Sequence, residues 1–147
     1  MTTKGYRPNA VAYIKGGALA PNLIGEVQLF QKGEAVLLTV EISNLPKSKH
    51  GFFGLHIHEG GSCMGEGFSN TGGHFNPAKQ DHPSHAGDLP PLLSCNGKAY
   101  MCVTTDRFTV REIAGKTVVI HSLPDDFRTQ PSGNAGEKIA CGVIRKI

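Results

Sequence analysis

"IGEVQLFQKGEAVLLTVEI", residues 24–42, is the stretch of sequence that decides the fold. Two strand-like runs, residues 24–31 and 35–42, flank a short turn that contains Lys32 and Gly33. Both runs are rich in apolar and β-branched side chains, which favour a pleated, half-buried surface. Two such runs joined by a short glycine-containing turn are typical of an antiparallel β-hairpin.

The same pattern continues on both sides of this hairpin. Six further strand-like runs occupy residues 10–15, 53–58, 92–95, 98–104, 117–121 and 139–145. No stretch shows sustained helical periodicity, although residues 108–114 could hold a short turn. Eight short strands separated by turn signals predict an all-β sandwich or barrel. Two long connections, residues 59–88 and 122–138, interrupt the strands, and long loops on a β scaffold usually carry function.

Length and composition narrow the class of protein. The chain has 147 residues, of which 39% are hydrophobic and 18% charged, which is an ordinary globular mix. We expect a single domain over residues 1–147. The net charge of +3 is scattered, with no Lys/Arg block, so a nucleic-acid partner is not expected. No apolar run is long enough to span a bilayer, so a membrane partner is not expected either.

The N-terminus and the cysteines leave the compartment open. Residues 1–7 lack the apolar core of a signal peptide. The protein is expected in the cytoplasm if Met1 is the native start, and in the periplasm or outside the cell if a leader was removed. Its four cysteines, Cys63, Cys95, Cys102 and Cys141, form no Cys-x-x-Cys pair, and several disulfide pairings are possible.

Histidines are concentrated next to the two long loops. His56 and His58 are two residues apart on a predicted strand, so both rings leave the same face. The pattern His-x-x-His-x-x-Asp of His82, His85 and Asp88 lies in a loop that can surround one cation. Each motif alone is as readily explained by surface or half-buried histidines. Six of the seven histidines beside two loops, with His74 and His121 completing the set, instead favour a metal site.

Counting ligands permits a site with two metals. Six histidines and Asp88 make seven ligands, whereas two four-coordinate metals need eight positions. One shared ligand reconciles the counts, and His74 is the natural candidate because it lies between the two groups in the sequence. Imidazole suits zinc, copper and iron, and a carboxylate suits zinc. His50 has no partner in this pattern, and we expect it to be exposed to solvent.

Several motifs in order resemble the copper/zinc superoxide dismutases. They are GLHIHE at 54–59, GHFNP at 73–77, HAGDL at 85–89, VVIH at 118–121, the aspartates at 125–126, GNAG at 133–136 and ACGVI at 140–144. The resemblance runs from about residue 10 to residue 144. It implies an eight-stranded Greek-key β-sandwich or flattened barrel with two long functional loops.

The resemblance also implies a role for each ligand. Copper, one ion per chain, would be bound by His56, His58, His74 and His121. Zinc, one ion per chain, would be bound by His74, His82, His85 and Asp88, with His74 as the bridge. Asp125 would be the carboxylate that ties a copper histidine to a zinc histidine. Cys63 and Cys141 would form a disulfide, whereas Cys95 and Cys102 have no role in the family and are expected to be free thiols.

The implied activity is the disproportionation of superoxide to oxygen and hydrogen peroxide. In this family the bridging histidine, here His74, is protonated during the reaction and passes the proton to the product. An alternative stays open at the level of sequence: a copper- and zinc-binding protein of the same fold that stores or delivers metal with little turnover.

The sequence departs from the family pattern in three places. The family has an arginine beside the copper channel where this chain has Lys138, which still attracts an anion but lacks the guanidinium fork. The second long loop has few acidic residues, so electrostatic steering of the substrate is in doubt. Arg145 and Lys146 lie where eukaryotic members present an apolar dimer surface. We therefore expect a monomer, or a homodimer that does not use the eukaryotic interface.

Overall fold

The computed structural model describes residues 3–147, and β-strands account for most of its regular structure. The elements in chain order are β1 Ala10–Gly16, β2 Ile24–Lys32, β3 Ala35–Ser43, β4 Phe52–His58, a 3-10 helix Glu66–Thr71, β5 Asp88–Leu93, β6 Ala99–Thr105, α1 Val110–Ile113, β7 Thr117–His121 and β8 Lys138–Lys146. The all-β prediction with eight strands is therefore confirmed.

The eight strands form one sheet in the order β5-β4-β7-β8-β1-β2-β3-β6. All neighbouring pairs are antiparallel. Three pairs, β4–β7, β8–β1 and β3–β6, join strands that are not consecutive in the chain, which is the Greek-key pattern. The terminal strands β5 and β6 come close to each other, so the sheet curls into a nearly closed barrel.

Buried side chains at alternating positions of the hairpin at residues 24–42 fill part of the barrel interior. Val27 lies opposite Val40 and Leu29 opposite Leu38, and all four side chains are buried. The side chains between them point to the other face, because successive residues of a strand alternate. This opening stretch therefore supplies one wall of the hydrophobic core, and burying each large aliphatic side chain contributes roughly 1.5–3 kcal/mol.

Strands β4 and β7 are buried on both faces. In β4, Leu55 and Ile57 belong to the hydrophobic core, whereas His56 and His58 are buried on the opposite face. Every residue of β7 is buried as well. The long loop between β4 and β5 and the loop between β7 and β8 cover this outer face, so they create a shielded space between loop and sheet.

Two elements differ most from the sequence prediction. β5 begins at Asp88 and contains Pro90 and Pro91, whereas the sequence predicted a strand only from residue 92. Prolines are tolerated there because β5 is at the end of the sheet and pairs with β4 alone. The predicted turn at 108–114 is the short helix α1, which begins with a capping box formed by Thr109 and Glu112.

A disulfide joins Cys63 in the first long loop to Cys141 in β8, with the two Cα atoms 5.8 Å apart. The bond implied by the family resemblance is therefore present. Cys95 and Cys102 are free and exposed. Over residues 3–147, no helix has the length and apolar character needed to cross a membrane.

Candidate metal centre

Four histidine rings meet in the shielded space above β4. His56 and His58 come from β4, His121 ends β7, and His74 lies in the first long loop. The His74 ring centroid is 4.0 Å from that of His56 and 4.9 Å from that of His58. The ring of His58 is 5.3 Å from that of His121. Strand register and loop path thus bring together ligands that are separated by up to 65 residues in the sequence.

Backbone hydrogen bonds to β4 position His74. His58, the last residue of β4, forms an isolated antiparallel bridge with His74. The N–H of Glu59 donates to the carbonyl of Gly73 at 2.9 Å, and the N–H of Phe75 donates to the carbonyl of Ile57 at 2.8 Å. The loop therefore runs alongside β4 at this point, which fixes the His74 ring between the strand histidines and the rest of the loop.

A second group forms around the carboxylate of Asp88. Its Oδ1 is 2.8 Å from Nδ1 of His74, and its Oδ2 is 3.1 Å from Nδ1 of His82 and 3.3 Å from Nδ1 of His85. Three imidazole nitrogens of the same type thus surround one carboxylate. Nδ1 of His74 is also 3.1 Å from Nδ1 of His85. This is the donor set, three nitrogens and one oxygen, that tetrahedral zinc accepts.

His74 takes part in both groups. Ligand atoms of His56, His58, His74 and His121 all lie within 4.8 Å of one another, as do those of His56, His74, His82 and Asp88. The second group differs from the expected zinc set because His56 replaces His85. His85 nevertheless lies at the same carboxylate, as the distances to Asp88 and His74 show.

Asp125 links the two groups by accepting a hydrogen bond from one histidine of each. Its Oδ2 accepts a hydrogen bond from Nε2 of His56 at 2.7 Å, and its Oδ1 accepts one from Nε2 of His82 at 2.7 Å. Burial raises the pKa of Asp125, but the hydrogen bonds from His56 and His82 outweigh burial and lower the pKa to about 2. An ionised carboxylate only accepts, so both rings carry their proton on Nε2 and present a lone pair at Nδ1.

Unpartnered ring nitrogens show that the cluster fits a metal. In the part of the chain that the structure describes, three buried side-chain nitrogens lack a hydrogen-bond partner: Nδ1 of His56, Nε2 of His74 and Nδ1 of His82. The last of these is close to Asp88, but its alignment is too poor for a hydrogen bond. Buried polar atoms are rarely left unpaired in proteins, because each costs about 1–3 kcal/mol. A cation at these atoms would remove that cost.

The pair of His58 and His121 leads to the same conclusion. Nδ1 of His58 donates to the carbonyl of Gly72 at 2.8 Å, which leaves a lone pair on Nε2. That Nε2 lies 3.2 Å from Nε2 of His121, whose Nδ1 faces the carbonyl of Gly136 at 3.5 Å. Burial lowers the pKa of His58 to about 2 and that of His121 to about 3. Both rings are therefore neutral near pH 7, and their facing lone pairs attract a cation.

Lys138 sits at the rim of the histidine cluster. A cleft of about 380 Å³ opens onto His58, His74 and His121, and Lys138 lines it. The ammonium donates to Oγ1 of Thr71 at 2.8 Å and to the carbonyl of Gly72 at 2.9 Å. Its third N–H is not used by either contact. Burial lowers the pKa of Lys138 from its ordinary value.

Some residues of this site had no clear signal in the sequence. Thr71 and Gly72 anchor Lys138, and Gly72 also holds His58, yet neither stands in a recognisable ligand pattern. Gly133 lies beside Asp125 and leaves no room for a side chain, because a Cβ there would lie 2.0 Å from Oδ1 of Asp125. His50, which the sequence analysis left outside the pattern, is exposed as expected.

Comparison with known proteins identifies relatives over most of the chain. The family model described as copper/zinc superoxide dismutase (SODC) matches residues 23–144. The Cu-Zn superoxide dismutase 1 of Aquifex aeolicus is 37% identical over 137 residues, covering 83% of this chain and 80% of that protein. The Cu-Zn superoxide dismutase of Photobacterium leiognathi is 34% identical, with 83% and 79% covered. The extracellular Cu-Zn superoxide dismutase of Caenorhabditis elegans is 35% identical, with 94% and 69% covered.

Proposed function

Since the chain belongs to the copper/zinc superoxide dismutase family, we propose that it disproportionates superoxide to oxygen and hydrogen peroxide at a histidine-bridged copper/zinc site. One observation supports this most strongly. His74 belongs to two ligand groups at once, and its Nδ1 faces Asp88 while its Nε2 is buried without a hydrogen-bond partner. A ring that offers one nitrogen to each of two groups is what a bridge between two cations requires.

The proposed ligand sets follow the two groups. One copper ion per chain is bound by His56, His58, His74 and His121. One zinc ion per chain is bound by His74, His82, His85 and Asp88. We place zinc at the second group because it contains the carboxylate, and copper at the group made of imidazoles alone. Asp125 accepts a hydrogen bond from one ring of each set, so it fixes the positions of the two proposed sites relative to each other.

Each part of the site has its own task. Copper, when bound, supplies the one-electron chemistry of the reaction, while redox-inert zinc holds the bridging ring in place. His74 is the proposed proton donor to the product, through its Nε2. This nitrogen is buried without a hydrogen-bond partner, His74 lines the cleft, and the opposite nitrogen keeps the ring oriented through its contact with Asp88 at 2.8 Å.

Lys138 is the proposed guide for the anionic substrate. The cleft is lined by this ammonium and by three of the proposed copper ligands, so an anion drawn to the ammonium arrives beside them. Two of the three ammonium protons are committed to Thr71 and Gly72, and one is left to contact an anion. Lys138 thus attracts the anionic substrate by its positive charge but offers it few hydrogen bonds.

Metal analysis and a superoxide assay on one preparation test the proposal. We expect one copper and one zinc per chain and rapid superoxide decay. His121→Ala should abolish decay and copper binding while leaving zinc bound, because His121 belongs only to the imidazole group. His50→Ala, at an exposed histidine, is the matched control and should change neither property. Metal bound in full without decay would contradict the enzyme and favour the storage or delivery protein.

A further inference from the structure

We propose that Gln130 and Arg107 are positioning residues that hold the loop carrying His82, His85 and Asp88 in its ligand arrangement and thereby set the affinity for zinc. The inference rests on the proposed function, because it concerns the proposed zinc ligands. Neither residue lies in the ligand groups themselves. Both reach the loop from other parts of the chain and contact its backbone rather than its rings.

Gln130 binds both backbone groups of a single ligand residue. Its Oε1 accepts from the N–H of His82 at 2.8 Å, and its Nε2 donates to the carbonyl of His82 at 2.8 Å. The side-chain amide thus bonds His82 as a paired residue of a neighbouring strand would. Nε2 also donates to the carbonyl of Arg128 at 3.1 Å, which fixes the amide within its own loop. The second long loop is thereby connected to the first at a ligand.

Arg107 holds the same loop directly after His82 and at His85. It follows β6, and its Nη1 donates to the carbonyl of Pro83 at 2.8 Å and to the carbonyl of His85 at 3.2 Å. These carbonyls belong to the residue after one proposed ligand and to the next ligand itself. A guanidinium suits this task because its charge does not titrate and its donors are held in a rigid plane.

The loop has few other means of support at this point. For residues 81–85 in the described chain, the remaining backbone hydrogen bonds are local: Ser84 to Asp81, Asp88 to His85, and the N–H of His85 to the Asp88 carboxylate. Attachment to β4 resumes only at Gly87, which bonds Ile57. The path of the backbone through His82 and His85 therefore depends on the two side chains.

Loss of these contacts should lower the affinity for zinc rather than the stability of the fold. Gln130 and Arg107 are exposed residues outside the hydrophobic core, so their removal leaves no core cavity. Groups that orient metal ligands typically contribute about 10–100-fold to metal affinity. We expect each of Gln130→Met and Arg107→Met to weaken zinc binding about tenfold, and the double variant to weaken it further. Copper affinity should change far less, since three of its four proposed ligands lie outside the loop.

The test measures zinc affinity of the metal-free protein by competition with a chelator. Cobalt(II) placed at the zinc site gives a second readout, because its visible spectrum reports ligand geometry and should shift in both variants. Arg107→Lys should recover part of the lost affinity by supplying one cationic donor. Arg111→Met, on the exposed side of α1, is the matched control and should leave zinc affinity unchanged.

The outcomes separate the two proposals. Zinc affinity of the double variant within twofold of the unaltered protein would overturn the positioning role. An equal loss of copper and zinc affinity would also overturn it, because the effect would then be a general one on the fold. If the unaltered protein itself binds no zinc or leaves superoxide intact, the proposed function fails instead.

Discussion

At the scale of single residues, one carboxylate orients two proposed metal ligands. Asp125 accepts from His56 and from His82, so it sets which nitrogen of each ring is free to bind a cation. The space for this carboxylate depends on Gly133, whose φ is +71°. A side chain at this glycine would be strained by the backbone and would also collide with Asp125.

Gly133→Ala should therefore disrupt the hydrogen bonds that Asp125 accepts from His56 and His82. The new Cβ would lie 2.0 Å from Oδ1 of Asp125 and 2.6 Å from Nε2 of His82, so the carboxylate must move. We expect affinity for zinc, and to a lesser degree copper, to fall by about 10–100-fold. Gly33→Ala is the matched control, because its φ of +61° carries the same backbone strain but no atom lies within 4 Å. Equal effects of the two substitutions on metal affinity would contradict the assigned role.

Lys138→Arg should raise the rate of superoxide decay a few-fold. A guanidinium has five N–H donors, so it can keep both contacts to Thr71 and Gly72 and still offer several hydrogen bonds to an anion. The salt dependence of the rate should persist, since the charge is unchanged, whereas Lys138→Gln should reduce both rate and salt dependence. Kinetics of superoxide decay at several ionic strengths provide the measurement. No gain in rate with arginine would refute this account of Lys138.

At the scale of elements, the long loops contribute to the candidate metal centre just as the strands do. The strands were predictable because their runs are rich in apolar and β-branched residues such as Val27, Val40 and Ile57 and are bounded by turn signals. β5 was misjudged at its start because prolines argue against a strand, and nothing local shows that β5 lies at the sheet's end. The disulfide between Cys63 and Cys141 then ties the first long loop to β8.

Removing that disulfide tests how far the loop relies on it. The bond spans a sequence separation of 78 residues. In the chain-entropy model, closing a loop of that length contributes about 4–5 kcal/mol to the free energy of unfolding. We expect Cys63→Ser/Cys141→Ser to lower the urea midpoint of the metal-free protein accordingly, while Cys95→Ser, at an exposed free thiol, leaves it unchanged. A double variant as stable as the unaltered protein would show that the loop is held by other contacts.

At the scale of the whole molecule, the proposed ligands could be inferred from the sequence, whereas their supports could not. His56, His58, His82, His85 and Asp88 stand in short patterns whose residue types belong to metal sites. Gln130 and Arg107 contact the loop backbone across tertiary distances, so no spacing in the sequence marks them. Arg145 and Lys146 are exposed at the end of β8, and the expected absence of a eukaryotic-type dimer stays a prediction.

Acid should destabilise the metal-free protein between about pH 6.5 and pH 3. Unfolded histidine has a pKa of about 6.5, whereas burial lowers that of His58 to about 2 and that of His121 to about 3. In this window the unfolded state binds more protons, so the free energy of unfolding falls as pH decreases, by up to about 1.4 kcal/mol per pH unit for each ring. The lowered pKa of Asp125, about 2 against an ordinary 3.8, contributes in the same direction only as the pH falls below about 4. Urea unfolding at pH 7.5, 6 and 5 checks this, and a midpoint that does not fall would contradict it.

The central claim is that His74 bridges copper and zinc within one chain. A crystal structure of the protein loaded with both metals, with anomalous scattering recorded at the copper and zinc absorption edges, tests it most directly. We expect zinc at Nδ1 of His74 with His82, His85 and Asp88, and copper at Nε2 of His74 with His56, His58 and His121. Two metals that share no ligand, or a single metal occupying the whole cluster, would contradict it.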